Sequence, residues 1–256
     1  MKKFIALTMA LVMSLALVAC GGEKQMTYAV EAGSAGEEVA IANSFNIVSV
    51  DAQATALMEV QSGNADAAII DLLMAGAMVG EGTSYPEIKV TDQKLNSEQY
   101  GIGCRKGSDL ASFINSVLSK TYADGTMMEI AKTYGVQEAI IEQPAAEYVA
   151  AAADSDVEYI KAKGKLIVGI TEFAPMDYLD ANNEWIGFDA DMSRIVAEEL
   201  GVEVEFVVID WNNKVFELDG KSIDVVWHGM TLTDAVKEAM ECTNAYCENA
   251  QVVVSK

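Results

Sequence analysis

Two short segments constrain the fold of this chain more than any other feature. Residues 63–70 (GNADAAII) and residues 220–227 (GKSIDVVW) each place a glycine, a short spacer and an aspartate ahead of an apolar run of strand length. Glycine closes a preceding helix and the apolar run reads as a buried strand. A weak internal repeat of this kind points to two similar lobes. Around these anchors strands and helices alternate. Met26 to Ala32 reads as a strand, Gly33 to Glu38 as a turn into a helix ending near Ala42, Ala52 to Gln61 as a helix, and Ala65 to Asp71 as a strand. This first stretch therefore runs β-α-α-β. Gln99 to Arg105 reads as a strand, and Asp109 to Ser119 and Gly125 to Tyr134 as helices. After an Ala-rich connector over residues 143–156, expected to hold some helix, the pattern restarts. Helices are expected at 157–162, 188–200 and 233–240, and strands at 165–170, 202–208 and 223–227. Alternation of this kind predicts an α/β fold of parallel sheets with helices on both faces.

The N-terminus is an address. Lys2 and Lys3 precede an apolar run from Phe4 to Val18 that ends in Ala19-Cys20-Gly21-Gly22. The run is short for a bilayer span and reads as a secretory signal over residues 1–19. The segment Leu17-Val18-Ala19-Cys20 resembles a bacterial lipobox, which implies lipidation of Cys20 and a body tethered to the outer face of a membrane. The 256 residues carry 39 acidic and 17 basic side chains, a net charge of −22, and removal of the signal takes two lysines and no acid with it. A chain this acidic repels phosphate backbones, so nucleic acid is not an expected partner. Arg105 and Arg194 are the only arginines. One histidine and four cysteines in no closed ligand spacing predict neither a metal site nor a cofactor. Trp185, Trp211 and Trp227 sit in apolar runs and read as core residues, and the methionines show no helical stripe.

Several motifs in register resemble the family 3 solute-binding proteins, the polar amino-acid receptors of ABC importers. Residues 164–171, Phe173-Ala174-Pro175, residues 187–191, residues 223–226 and residues 230–234 are similar to the family's opening half. Residues 30–35, 63–71, 100–107 and 123–126 are similar to its closing half. The order is reversed, so the sequence resembles a circularly permuted member. The resemblance implies a two-lobed, type II periplasmic-binding-protein-like fold with hinge strands. One lobe is expected over 26–99 and the other over 106–246, with hinge strands at 100–105 and 247–256. The strand over 249–254 would end the chain as a free tail, which makes a strand-swapped dimer an open possibility.

The resemblance also implies ligand-binding positions. Asp71 falls where the family holds an ammonium, although an aspartate there could equally cap the next helix. Phe173 matches a pocket aromatic, with core packing as its alternative. Ser34 and Ala35, after Gly33 and ahead of a helix, would offer a hydroxyl and backbone N–H groups to a carboxylate. Gly229, Met230 and Thr231 would line the opposite wall. His228 could be a donor, a steric plug or a histidine with an ordinary partner. One departure stands out: Val236 occupies the position of the arginine that clamps the ligand carboxylate, and Lys237 points roughly 100° away on a helix. Either the ligand lacks a free carboxylate or amino acids bind poorly. Cys104, Cys242 and Cys247 are expected to be free thiols, with a 104–247 disulfide as the alternative.

These readings imply an extracytoplasmic, lipid-anchored binding protein that presents an amino-acid-like solute to an ABC permease and performs no chemistry. Two alternatives remain at this point: a degenerate scaffold or sensor that has lost its ligand, and a dehydratase-like enzyme with His228 or Glu172 as its only candidate acid.

Overall fold

The structure, a computed structural model, describes residues 25–151 and 153–256. The expected signal over residues 1–19 and the lipidation site Cys20 lie outside the described residues. The chain begins with β1 (Thr27–Glu31), α1 (Ala35–Ala42), β2 (Asn46–Val50), α2 (Gln53–Ser62), β3 (Ala67–Asp71), α3 (Leu72–Met78) and β4 (Lys89–Lys94). A second series follows with β5 (Glu98–Cys104), α4 (Leu110–Asp124), α5 (Thr126–Thr133), α6 (Asp156–Lys163), β6 (Lys165–Ile170), β7 (Tyr178–Leu179) and β8 (Trp185–Ile186). It continues through α7 (Phe188–Leu200), β9 (Glu203–Val208), α8 (Lys214–Asp219), β10 (Val225–Thr231), α9 (Asp234–Ala239), β11 (Glu241–Cys242) and β12 (Cys247–Asn249) to the final strand β13 (Gln251–Ser255).

Two main sheets result, one per lobe. The first has the order β2-β1-β3-β13-β4 and the second β11-β5-β10-β6-β9, with β12 also paired to β5. The two segments that opened the sequence reading supply β3, buried at every position, and β10, buried at all but its last. The sheets are mixed rather than parallel throughout, because β13 runs antiparallel to β3 and β4, and β5 antiparallel to β10. The first lobe is β-α-β-α-β, not β-α-α-β. The strand missed between the helices, β2, is an edge strand with no fully buried position, and β4, also missed, is an edge strand of sequence KVTDQK. The polar side chains of β4 hide the hydrophobic alternation by which strands are read, whereas β2, with Ile47, Val48 and Val50, carries a strand signal that the sequence reading passed over.

The chain passes between lobes at residues 95–97 and again at Ala250, and the two crossings are bonded together. Leu95 N–H donates to the Gln251 carbonyl at 3.0 Å, and Gln251 N–H donates to Asn96 Oδ1 at 2.9 Å. The expected hinge strands therefore lie inside the lobes. Residues 100–104 form part of β5, buried throughout that stretch and covered on both edges within the second sheet, and residues 251–255 are an inner strand of the first. Positions buried on both faces need packing above and below as well as neighbouring strands, which a bare crossing cannot supply. The last strand docks between β3 and β4 of its own chain, so its ladder groups already have partners. Its end also meets the start of the fold: Ala67 pairs with Tyr28 on one side and Ser255 on the other. Two strand spacings, about 10 Å, separate those ends.

The Ala-rich connector shows no helix over residues 142–151 and instead lies extended along α4. Ala146 and Val149 N–H groups donate to Ser119 and Ser112, and the Tyr148 hydroxyl donates to Asp109. Cys104, Cys242 and Cys247 are free thiols.

Beneath the second sheet, Arg105 is committed to structure. Its guanidinium donates to Asp156 at 2.9 Å and to the Ile223 carbonyl at 2.9 Å, and lies 3.5 Å from Asp224, which also takes Lys163 at 2.6 Å. Removing one partner of a buried ionic cluster leaves carboxylates without compensation, at a cost of about 3–5 kcal/mol. Arg105→Ala should therefore lower the unfolding free energy by about that amount in a urea titration. A loss below about 1 kcal/mol would mean that the cluster contributes little.

Candidate functional site

A cavity of about 230 Å³ lies between the lobes, bounded by residues from both. From the first lobe come Glu31 at the end of β1, the turn Gly33-Ser34-Ala35, Glu38 and Gln53 on the following helices, and Asp71 at the end of β3. Each carboxyl at a strand end is placed there by the strand's own register. The second lobe contributes Trp211, Lys214 and Val215 after β9, His228 to Thr231 along β10, and Ala235, Val236 and Ala239 on α9. Of the residues expected from sequence, Asp71, Ser34, Ala35, His228, Gly229, Met230 and Thr231 all border this cavity.

Asp71 stands at the N-cap of α3, yet its side chain accepts no helical amide. The capping alternative is thereby removed. Its carboxyl instead accepts from the side-chain amides of Gln53, Asn249 and Gln251, the last at 2.8 Å. Asn249 and Gln251 also donate to Glu98 Oε1, at 2.6 and 2.8 Å. Two amides from one crossing thus bridge two buried carboxyls, one of them just past the other crossing. Burial first, and the neighbouring Glu98 second, raise Asp71 well above the ordinary carboxyl range.

Glu31, which the sequence reading left as an ordinary strand residue, is the second buried carboxyl of the cavity, at 2% exposure. Burial pushes it up to about 8, against smaller lowering effects from Thr171 and Lys214. The Thr171 hydroxyl donates to Glu31 Oε1 at 3.2 Å across the cleft. Its oxygen lies 2.5 Å from His228 Nε2, and His228 Nδ1 lies 3.3 Å from Asp177 Oδ2. Burial drives His228 down to about 3, so the ring is neutral at pH 7, and burial raises Asp177 well above the ordinary carboxyl range. Each ring nitrogen thus faces one polar partner, Thr171 or Asp177.

Phe173 departs from expectation. It does not border the cavity and is 1% exposed. It packs behind the wall, in edge contact with His228 and Tyr100. A Cβ at Gly229, where φ is +52°, would come within 2.5 Å of its ring, so the aromatic acts as a backstop that requires glycine in front of it. Asp189 holds that glycine by accepting its N–H at 2.6 Å. Trp211 supplies the cavity's aromatic face instead, with its ring 5.1 Å from His228 and 4.9 Å from Lys214 Nζ. It is also part of an apolar cluster with Ile209, Met230 and Val236, which is why its sequence context reads as core.

The turn at Gly33 differs as well. Ser34 Oγ accepts from Glu37 N–H as the cap of α1, and Gly33 N–H donates to the Glu37 carboxylate at 2.7 Å. Those groups are already used by the chain. Lys214 Nζ donates to the carbonyls of Gly33 and Trp211, at 2.8 and 3.2 Å, and so ties the lobes together. Gly33 also lies so close to the facing lobe that an added Cβ would sit 2.8 Å from Asn212 Cα. The cleft is closed on itself at this edge. Glu172, the other candidate acid, borders a separate groove with Tyr134 and Pro175, not this cavity. Among the described residues no cluster of His, Cys, Asp and Glu could hold a metal ion, and no helix is long and apolar enough to cross a membrane.

A carboxyl raised in the folded state stabilises the fold below its unfolded pKa, and that contribution is lost as pH rises through the folded value. For Glu31 the window runs from about 4.5 to about 8. His228 acts in the opposite sense, but only below its ordinary 6.5. Melting temperature should therefore fall as pH rises above 6.5. Glu31→Gln, which keeps an acceptor for Thr171 and carries no charge, should flatten part of that fall. Parallel slopes for the two proteins in a thermal-melt series would contradict this placement of Glu31.

Residues 166–256 match the profile of the bacterial extracellular solute-binding proteins, family 3. The arginine-binding extracellular protein ArtP of Bacillus subtilis (strain 168) is 32% identical over 95 residues, 37% of this chain and 37% of the relative. A probable histidine-binding protein of Neisseria gonorrhoeae is 34% identical over 83 residues, 32% of this chain and 31% of the relative. A solved structure of an ancestral cationic amino acid solute-binding protein shares 36% identity, covering 33% of this chain and 37% of that one, with a TM-score of 0.32. The chain thus spans about a third of the length of these relatives. The likeness to the bacterial extracellular solute-binding proteins, family 3, is carried by residues 166–256.

Proposed function

We propose that this protein is the extracytoplasmic binding component of an ABC importer, closing two lobes over a small amino-acid-like solute and delivering it to a permease. The observation that carries the reading is the interlobe cavity, lined from both sides and flanked by two bonded crossings about which the lobes can hinge. The named binding proteins among the relatives support it. Asp71, Ser34, Ala35, His228, Gly229, Met230 and Thr231 are its proposed ligand-contacting residues, joined by Glu31, Trp211 and Lys214. Phe173 acts from behind the wall. A lipid on Cys20 would hold the body at the outer face of the membrane.

Circular permutation fits this reading. The profile match is confined to the C-terminal stretch over residues 166–256. Residues 27–94 nevertheless complete a sheet with the last strand, and the ends of β1 and β13 flank the same residue, Ala67, where a short connector in the usual order would join them. The last strand is paired within its own chain, so this reading needs no strand-swapped dimer. An enzyme would require a base poised against a reacting group. His228 is neutral, doubly bonded and pushed down to about 3, which supports binding rather than proton transfer.

A ligand that binds only the native state raises the melting temperature by mass action. In a thermal-shift panel of amino acids, amines and their amides on residues 21–256, at least one compound should stabilise the protein, and Asp71→Ala should lose the shift. A folded sample that responds to nothing in the panel would favour the scaffold alternative.

A further inference from the structure

We infer that the solute is a small ammonium cation without a carboxylate, an inference that rests on the solute-binding reading above. The two walls of the cavity differ in kind. The first lobe presents the carboxyls of Glu31, Asp71 and Glu38. The second presents an apolar wall of Val215, Met230, Ala235, Val236 and Ala239 beside the Trp211 ring. An ammonium finds carboxyls on the first wall, while an aliphatic or aromatic body is matched by Trp211, α9 and its neighbours.

A carboxylate finds no such partner. Lys214 is the only cation among the residues bordering the cavity, and its ammonium is bonded to two backbone carbonyls in the closed form. Arg105 is held by Asp156 and Asp224, and Arg194 by Asp191 and the Trp185 carbonyl. The N–H of Gly33 is taken by Glu37, and Glu38 borders the cavity one residue on. An incoming anion would meet carboxyls from the first lobe and no free cationic side chain, in a site closed to water where an unpaired charge is costly. A cation relieves the same arrangement, because it lets Glu31 and Asp71 ionise against a counter-charge.

The test compares each amino acid with the amine left when its carboxylate is removed: L-phenylalanine with phenethylamine, L-leucine with 3-methylbutylamine, and L-lysine with cadaverine. Calorimetric titration of the folded body at pH 7 should give at least one amine that binds about tenfold or more tighter than its amino acid, a gap of about 1.4 kcal/mol. Glu31→Gln and Asp71→Asn should weaken that amine. Val236→Arg, which introduces a guanidinium into the apolar wall, should shift the preference toward the amino acid. An amino acid that binds as tightly as its amine, or amine affinity unchanged in both carboxyl variants, overturns the inference and leaves the binding reading intact. No binding of any pair by a folded protein overturns the binding reading itself.

Discussion

Burial of carboxyl groups without a matching set of cations is the constraint on which the rest of this structure depends. Glu31, Asp71, Asp177 and Asp189 are each 3% exposed or less, and burial holds every one of them above the ordinary carboxyl range. A buried anion is tolerated only when it is paired, hydrogen-bonded or neutralised. Arg105 and Lys163 satisfy the buried acids beneath the second sheet. No arginine reaches the cleft, so the cleft carboxyls rely on amides, a hydroxyl and protons. The closed site is therefore electrostatically incomplete in one direction, and a cation completes it.

The same groups link the cavity to the motion expected of two lobes. Asn249 and Gln251 flank the crossing at Ala250 and donate to both Asp71 and Glu98, so a change of charge at Asp71 reaches the crossing through two hydrogen bonds. Thr171 and Lys214, from the second lobe, bond to Glu31 and to the Gly33 carbonyl of the first. Opening the cleft breaks both of these and returns the Glu31 carboxyl to water. Closure and the protonation of Glu31 are thus coupled: drying the cleft raises its pKa, and ionisation favours opening unless a cation stays inside.

Much of this was legible in the sequence wherever a residue's role follows from local pattern. The apolar runs after Asp66 and Asp224 announced two buried strands, whereas Asp71 was marked by the family resemblance in register. Residues whose role depends on what lies across the cleft were not. Glu31 closes an apolar strand much as a surface residue would, and only the facing Thr171 and Lys214 make it part of a site. Trp211 carries a core context because it does belong to a core cluster while turning one face to the cavity. Phe173 was placed in the pocket by register, but the positive φ at Gly229 brings that glycine in front of it. The edge strand β4 escaped notice for the separate reason that its sequence is polar.

The most direct measurement is the titration of the Glu31 carboxyl itself, followed by carbon NMR in protein labelled at glutamate, with Glu31→Gln to assign the resonance. A midpoint near 8 is predicted for the closed, unliganded protein. A midpoint near the ordinary 4.5 would mean that the carboxyl is open to water or paired with a cation, and would contradict the account of a dry cleft awaiting a positive charge.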